Sequence, residues 1–184
     1  YRQKDNTFLH RTFGSEIIDF KDLLTNGNRI PTLVTCLKKE LLDAYHIEIK
    51  PETKNWLMGD IPMWLYFAKN SKIFFIPKVT GVYRILENSA SHNIDYNKSI
   101  KFLESYNEIR NFFKDLYLNE KEKSLFYIDV NLQKGMMFLR NGDREFTIKH
   151  LSLVKKKGIT LWIKIFMCKN NFLFQKLRKY TKNK

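Results

Sequence analysis

Along the first 95 residues the spacing of apolar positions changes several times, and each change predicts a different element. Between Ser15 and Asn26 the residues Ile17, Ile18, Phe20, Leu23 and Leu24 fall near helical spacing. With Ser15 as a cap and Asn26-Gly27 as a stop, a short helix is expected. Thr32 to Lys39 (TLVTCLKK) is β-branched and apolar, and it reads as a buried strand running into a short helix over Lys38 to Tyr45. The pattern lapses into a loop between Tyr45 and Lys54, around Pro51. Asp60 to Asn70 is helical again, with Met63, Trp64, Phe67 and Ala68 facing inward. Pro62 fits because the first turn of a helix leaves its amides unpaired. Lys72 to Pro77 contains Ile-Phe-Phe-Ile, the signature of a fully buried strand, and Val79 to Ile85 is a second extended piece. Asn88 to Asn97 is polar and turn-like.

Beyond residue 97 the texture is helical throughout. Ile100, Leu103, Tyr106, Ile109, Phe113 and Leu116 recur at three- and four-residue intervals up to Tyr117. A second helix is carried by Leu125, Ile128, Leu132, Met136 and Leu139 and closed by Asn141-Gly142. A third is expected over Arg144 to Lys156 and a fourth from Ile159 to about Tyr180, although Lys169-Asn170-Asn171 interrupts its apolar stripe. The expected fold class is therefore α/β over residues 1–95, with a mixed sheet of few strands, followed by an all-α region over residues 97–184. Roughly three short strands fall below the usual four to six of a stable sheet. The missing strands are expected to come from elsewhere.

Composition changes this picture mainly at the tail. The 184 residues suffice for a real core, and the formal charge is +14. Eleven Lys or Arg and no Asp or Glu lie between Phe146 and Lys184, which leaves 14 − 11, or +3, for the rest. Nucleic acid is accordingly not the expected partner. In the last helix Trp162, Phe166, Leu173, Leu177 and Tyr180 share a side flanked by Lys164, Lys169, Lys176 and Lys179. Such a helix can lie on an anionic membrane surface or pack on the helices before it. No apolar run approaches the roughly 20 residues of a membrane span. Cys36 and Cys168 stand far apart in apolar contexts, and buried free thiols in a reducing, cytoplasmic setting are expected. The chain opens on Tyr1 without cap or alternation, as if entered partway through.

Candidate chemistry concentrates between Asn55 and Ser91. Asp60 follows Gly59 at a predicted helix start, a rigid place that favours negative charge, where a carboxylate can cap or act as a general base. Trp56 offers either a platform for a sugar ring or an anchor in the core. Tyr83-Arg84 followed by Ser89 and Ser91 puts a guanidinium and two hydroxyls in one turn, suited to phosphate oxygens or to a surface ion pair.

Four pieces in order resemble the second half of family 2 glycosyltransferases of the GT-A fold: NRIPTLVTCLKKELL, Trp56-x-x-Gly59-Asp60, WLYFAKNSKIFFIPKVTGVYR and ENSAS. The resemblance runs from about Phe13 to Phe113. It implies an inverting glycosyltransferase in which Asp60 is the catalytic base, Trp56 and Gly59 bind the acceptor, and Arg84 and Ser89 contact the donor diphosphate. The implied partners are a nucleotide-sugar donor and a glycan or lipid-linked acceptor of surface polysaccharide synthesis, at the inner face of the membrane. Two departures stand out. The family's frequent His two residues after the Arg is Leu86 here, with His92 nearby, and no Asp-x-Asp is present, Asp19, Asp22 and Asp43 forming no such pair. Mg²⁺ or Mn²⁺ is the implied cofactor, its ligands expected mainly in an N-terminal nucleotide-binding half that these residues lack, so this chain alone is expected to be inactive. The alternative is a non-catalytic carbohydrate- or membrane-binding module.

Overall fold

A computed structural model describes residues 2–4, 7–9, 19–81, 83–84, 96–125, 130–155 and 157–182. The chain divides into two compact units, Tyr1–Phe126 and Tyr127–Lys184.

In the first unit strands β1 (Arg2–Lys4) and β2 (Thr7–Leu9) pair antiparallel, and β3 (Tyr83–Arg84) joins β1 in parallel, giving the order β2-β1-β3. The helices are α1 (Phe20–Asn26), α2 (Lys39–Ile49), α3 (Asp60–Asn70), α4 (Tyr96–Tyr117) and α5 (Glu120–Leu125). Helix α1 starts where the Asp19 carboxylate accepts from the Asp22 amide at 2.7 Å and stops at Gly27, whose φ of +85° suits a residue without a side chain. Helix α2 ends at Lys50, in the left-handed region at φ +51°, just before Pro51.

Helix α3 is the hub, because α1, α2 and α4 all pack on it. It buries Pro62, Trp64, Leu65, Tyr66 and Phe67, while Met63 and Ala68 are half-buried. Leu24 of α1, Tyr45 of α2 and Ile109 and Phe113 of α4 complete the core. Burying side chains of this size contributes about 1.5–3 kcal/mol each. Helix α4 is bound into the unit by Arg110, which donates from Nε to the Leu24 carbonyl at 2.5 Å and from Nη2 to the Thr25 carbonyl at 3.1 Å. Those carbonyls lie in the last turn of α1, where a cation is favoured.

The α/β expectation, and with it the partial GT-A sheet, is overturned. The strands hold three, three and two residues, against nine α-helices among the described residues. Thr32–Val34 is a 3₁₀ turn with Leu33 and Val34 exposed, not a buried strand. Lys72 to Pro77 has no regular secondary structure and pairs with no described strand, and Phe74 is 87% exposed. A run of β-branched and aromatic residues is buried only where neighbouring strands cover it. Here nothing does. Cys36 is exposed for the same reason, and Cys168 alone is buried as expected.

The second unit contains α6 (Val130–Asn141), α7 (Arg144–Ser152), α8 (Ile159–Lys169) and α9 (Asn171–Lys182). Helices α6 and α7 pack together across a tight turn at Gly142, φ +91°, after which the Asp143 side chain caps α7 by accepting from the Phe146 amide at 3.1 Å. Arg178 of α9 reaches the end of α6, donating to the Arg140 and Asn141 carbonyls at 3.4 and 3.3 Å. The helix expected up to Lys156 ends at Ser152, and the single helix expected from Ile159 to Tyr180 is two. Asn170 makes the break. Its side-chain oxygen accepts from the amides of Phe172 and Leu173 at 2.9 and 3.2 Å, which starts α9 afresh. Of the second expected helix, Leu125 ends α5, Leu132, Met136 and Leu139 lie in α6, and Ile128 lies outside the described residues.

Candidate functional site

Asp60 is the first residue of α3, and Gly59 is its exposed N-cap, with helical backbone and open space where a Cβ would stand. The carboxylate is held from two sides. Its Oδ1 accepts from the Ile61 amide at 2.9 Å, and its Oδ2 accepts from Asn28 Nδ2 at 2.8 Å. The Asn28 amide is itself oriented, since its oxygen accepts from the Ile30 amide at 2.8 Å and so turns the NH₂ group toward Asp60.

What places Asn28 is the end of α1. Gly27 turns the chain beside the Tyr106 hydroxyl, which would stand 2.8 Å from a Cβ at that position, and Arg110 fixes the two carbonyls just upstream. The Arg110 guanidinium lies 5.0 Å from the centre of the Tyr106 ring. Burial pushes the Tyr106 phenol up, partly opposed by Arg110, and burial draws Arg110 down.

An open groove of about 280 Å³ runs beside this junction, lined by Asn28, Met58, Ile61, Ser99, Phe102, Leu103 and Tyr106. Asn28 and Ile61 thus border the groove on one side and hold Asp60 on the other. The groove is open, with an apolar and aromatic wall and a few polar groups. Sequence spacing missed its lining. Phe102 and Tyr106, four residues apart next to Ser99, are the signal within α4, and Asn28 gave none beyond marking a turn.

Trp56 is half-buried, edge-on to Phe112 with ring centres 5.3 Å apart and tilted over Phe113 at 6.2 Å. Its neighbour Leu57 donates its amide to Ser105 Oγ at 2.8 Å. Together these pin the loop before α3 to α4. Arg84 is described through its backbone, in register with Gln3, while Ser89, Ser91, Leu86 and His92 lie outside the described residues.

Among the described residues no group of three or more His, Cys, Asp or Glu side chains is arranged to hold a metal ion. The described residues therefore offer no preformed three-ligand site for Mg²⁺ or Mn²⁺, whose ligands are expected mainly outside this chain. No described helix is long and apolar enough to cross a membrane. Compared with known families, with characterised proteins and with solved structures, the chain matches none.

Proposed function

We propose that the chain is the acceptor-side part of an inverting glycosyltransferase. The observation that carries this reading is the Asp60 carboxylate, fixed by Asn28 and the Ile61 amide, two residues that also line an aromatic groove. The reading rests on the site and not on a fold.

In this scheme the acceptor, a glycan or lipid-linked sugar, lies in the groove against Phe102 and Tyr106, whose rings suit the apolar face of a pyranose. Asp60 takes the proton of one acceptor hydroxyl as that oxygen attacks the anomeric carbon of a nucleotide-activated sugar. The bond from that carbon to the diphosphate breaks, its electron pair leaves with the nucleoside diphosphate, and the configuration inverts. Asn28 and the Ile61 amide each engage one carboxylate oxygen, so that a remaining lone pair meets the acceptor hydroxyl in a set orientation.

The test is Asp60→Asn in the protein as its gene encodes it, assayed with a panel of nucleotide sugars and oligosaccharide acceptors. Sugar transfer is expected to be lost while circular dichroism and acceptor binding are kept. Retained turnover sinks the assignment. A wild-type protein that binds oligosaccharides in the groove but transfers nothing with any donor would identify a carbohydrate-binding module instead.

A further inference from the structure

Helix α8 is apolar on two opposite faces. Leu161, Ile165 and Cys168 form the inner one and are buried in the second unit. Ile159, Trp162, Ile163 and Phe166 form the outer one, at the i, i+3, i+4, i+7 spacing of a single helical stripe, and are 78%, 58%, 53% and 68% exposed. Four large apolar side chains in one contiguous stripe are not an ordinary monomer surface.

We propose that this outer face of α8 docks on the surface of an anionic lipid bilayer. Charge complementarity selects that occupant. Neither α8 nor α9 contains an acidic residue, and the exposed apolar groups are interleaved with lysines. Lys157 Nζ stands 5.6 Å from the centre of the Trp162 ring, Lys176 Nζ stands 4.6 Å from that of Phe172, and Lys169 is exposed at the end of α8. A bilayer interface accommodates both halves of this pattern, with the apolar stripe at the acyl boundary and the ammonium groups among lipid phosphates. Nucleic acid would meet the lysines and leave Ile159, Ile163 and Phe166 facing phosphates or water. With 11 residues, α8 is about 16 Å long, too short to span, and it lies in the plane of the membrane.

This inference is independent of the sugar-transfer reading, and its test uses lipid alone. The chain is sedimented with phosphatidylcholine vesicles made with and without phosphatidylglycerol, at low and high salt. Binding is expected with phosphatidylglycerol, weakening as salt rises. Trp162→Ser with Phe166→Ser, both outside the packed face, should keep the circular dichroism spectrum and lower partitioning by roughly tenfold or more. Lys169→Glu with Lys176→Glu should remove the preference for the anionic lipid. The proposal is overturned if the wild-type chain ignores anionic vesicles at low salt, or if the Trp162/Phe166 variant binds them as wild type does. It is equally overturned if the face proves to join two copies of the chain, seen as a dimer in sedimentation that the Trp162/Phe166 variant dissociates and that does not bind lipid.

Discussion

Asn28 and Asp60, 32 positions apart, are joined by a 2.8 Å hydrogen bond from Asn28 Nδ2 to Asp60 Oδ2. The bond ties the turn after α1 to the first turn of α3 and, with the Ile61 amide on Oδ1, sets the plane of the carboxylate. Asn28→Ala should lower sugar transfer by roughly 10- to 100-fold, mainly through kcat, with a stability loss of about 1 kcal/mol. Exchanging the two side chains, Asn28→Asp with Asp60→Asn, keeps an amide–carboxylate pair and should recover stability without recovering transfer. Steady-state kinetics beside urea denaturation separates the two effects.

Arg110 is a buried cation whose described hydrogen bonds go to the Leu24 and Thr25 carbonyls. Arg110→Met keeps the packing of the stem and removes the donors, leaving helix-end carbonyls unsatisfied. The expected cost is about 2–3 kcal/mol. It should be read in urea unfolding followed by tryptophan fluorescence, since Trp56 and Trp64 both lie in the first unit.

His150 stacks on Phe138, with ring centres 5.3 Å apart and planes 6° from parallel, and its Nδ1 lies 3.1 Å from Asn131 Oδ1. Burial, and then the charges of Lys134 and Lys149, hold its pKa below the ordinary 6.5. Between the folded and unfolded values the unfolded chain binds more protons, so stability rises with pH across that interval. The contribution is complete above about 6.5 and is lost as pH falls through the folded value. The melting temperature of the second unit should therefore fall as pH drops below about 6.5, and His150→Phe should flatten that slope in thermal scans followed by circular dichroism.

The two thiols should react very differently. Cys36 is exposed, whereas Cys168 is fully buried and burial pushes its pKa up to about 11. Titration of the folded chain with a chromogenic disulfide at pH 8 should release one equivalent quickly and the second only in denaturant. Cys36→Ser should abolish the fast phase.

Local pattern made the helices legible and left the sheet illegible. Asp60–Asn70 appears with the bounds its spacing predicts, and α4 runs to the expected Tyr117, because the residues that define a helix are neighbours in sequence. A strand is different, since its burial is decided by partners at unknown distances along the chain. Leu33, Phe74 and Ile76 have strand chemistry and are exposed for lack of such partners. The same limit hid Asn28, which no periodicity connects to Asp60. Trp56 shows a third kind of limit: from sequence it is sugar platform or anchor alike, and its contacts with Phe112 and Phe113 are what place it in the core cluster. The break at Asn170 was visible as a polar interruption, but its role as a fresh helix start depends on which amides its side chain reaches.

The irregular, unpaired run from Lys72 to Thr80 bears on how the protein behaves in concentrated solution. Among the described residues its one backbone–backbone hydrogen bond joins Lys78 to Ile76, and Phe74, Ile76 and Val79 stand exposed along it. Exposed apolar, β-prone side chains in such a run favour association between copies of a chain. Lys72 and Lys78 bracket the apolar stretch and keep neighbouring copies apart by repulsion, which salt screens. Colloidal stability should therefore fall as ionic strength rises, opposite to the gain expected if simple charge attraction between copies were the cause. A single Phe74→Lys exchange, on a side chain that packs on nothing in the core, should extend the usable concentration range.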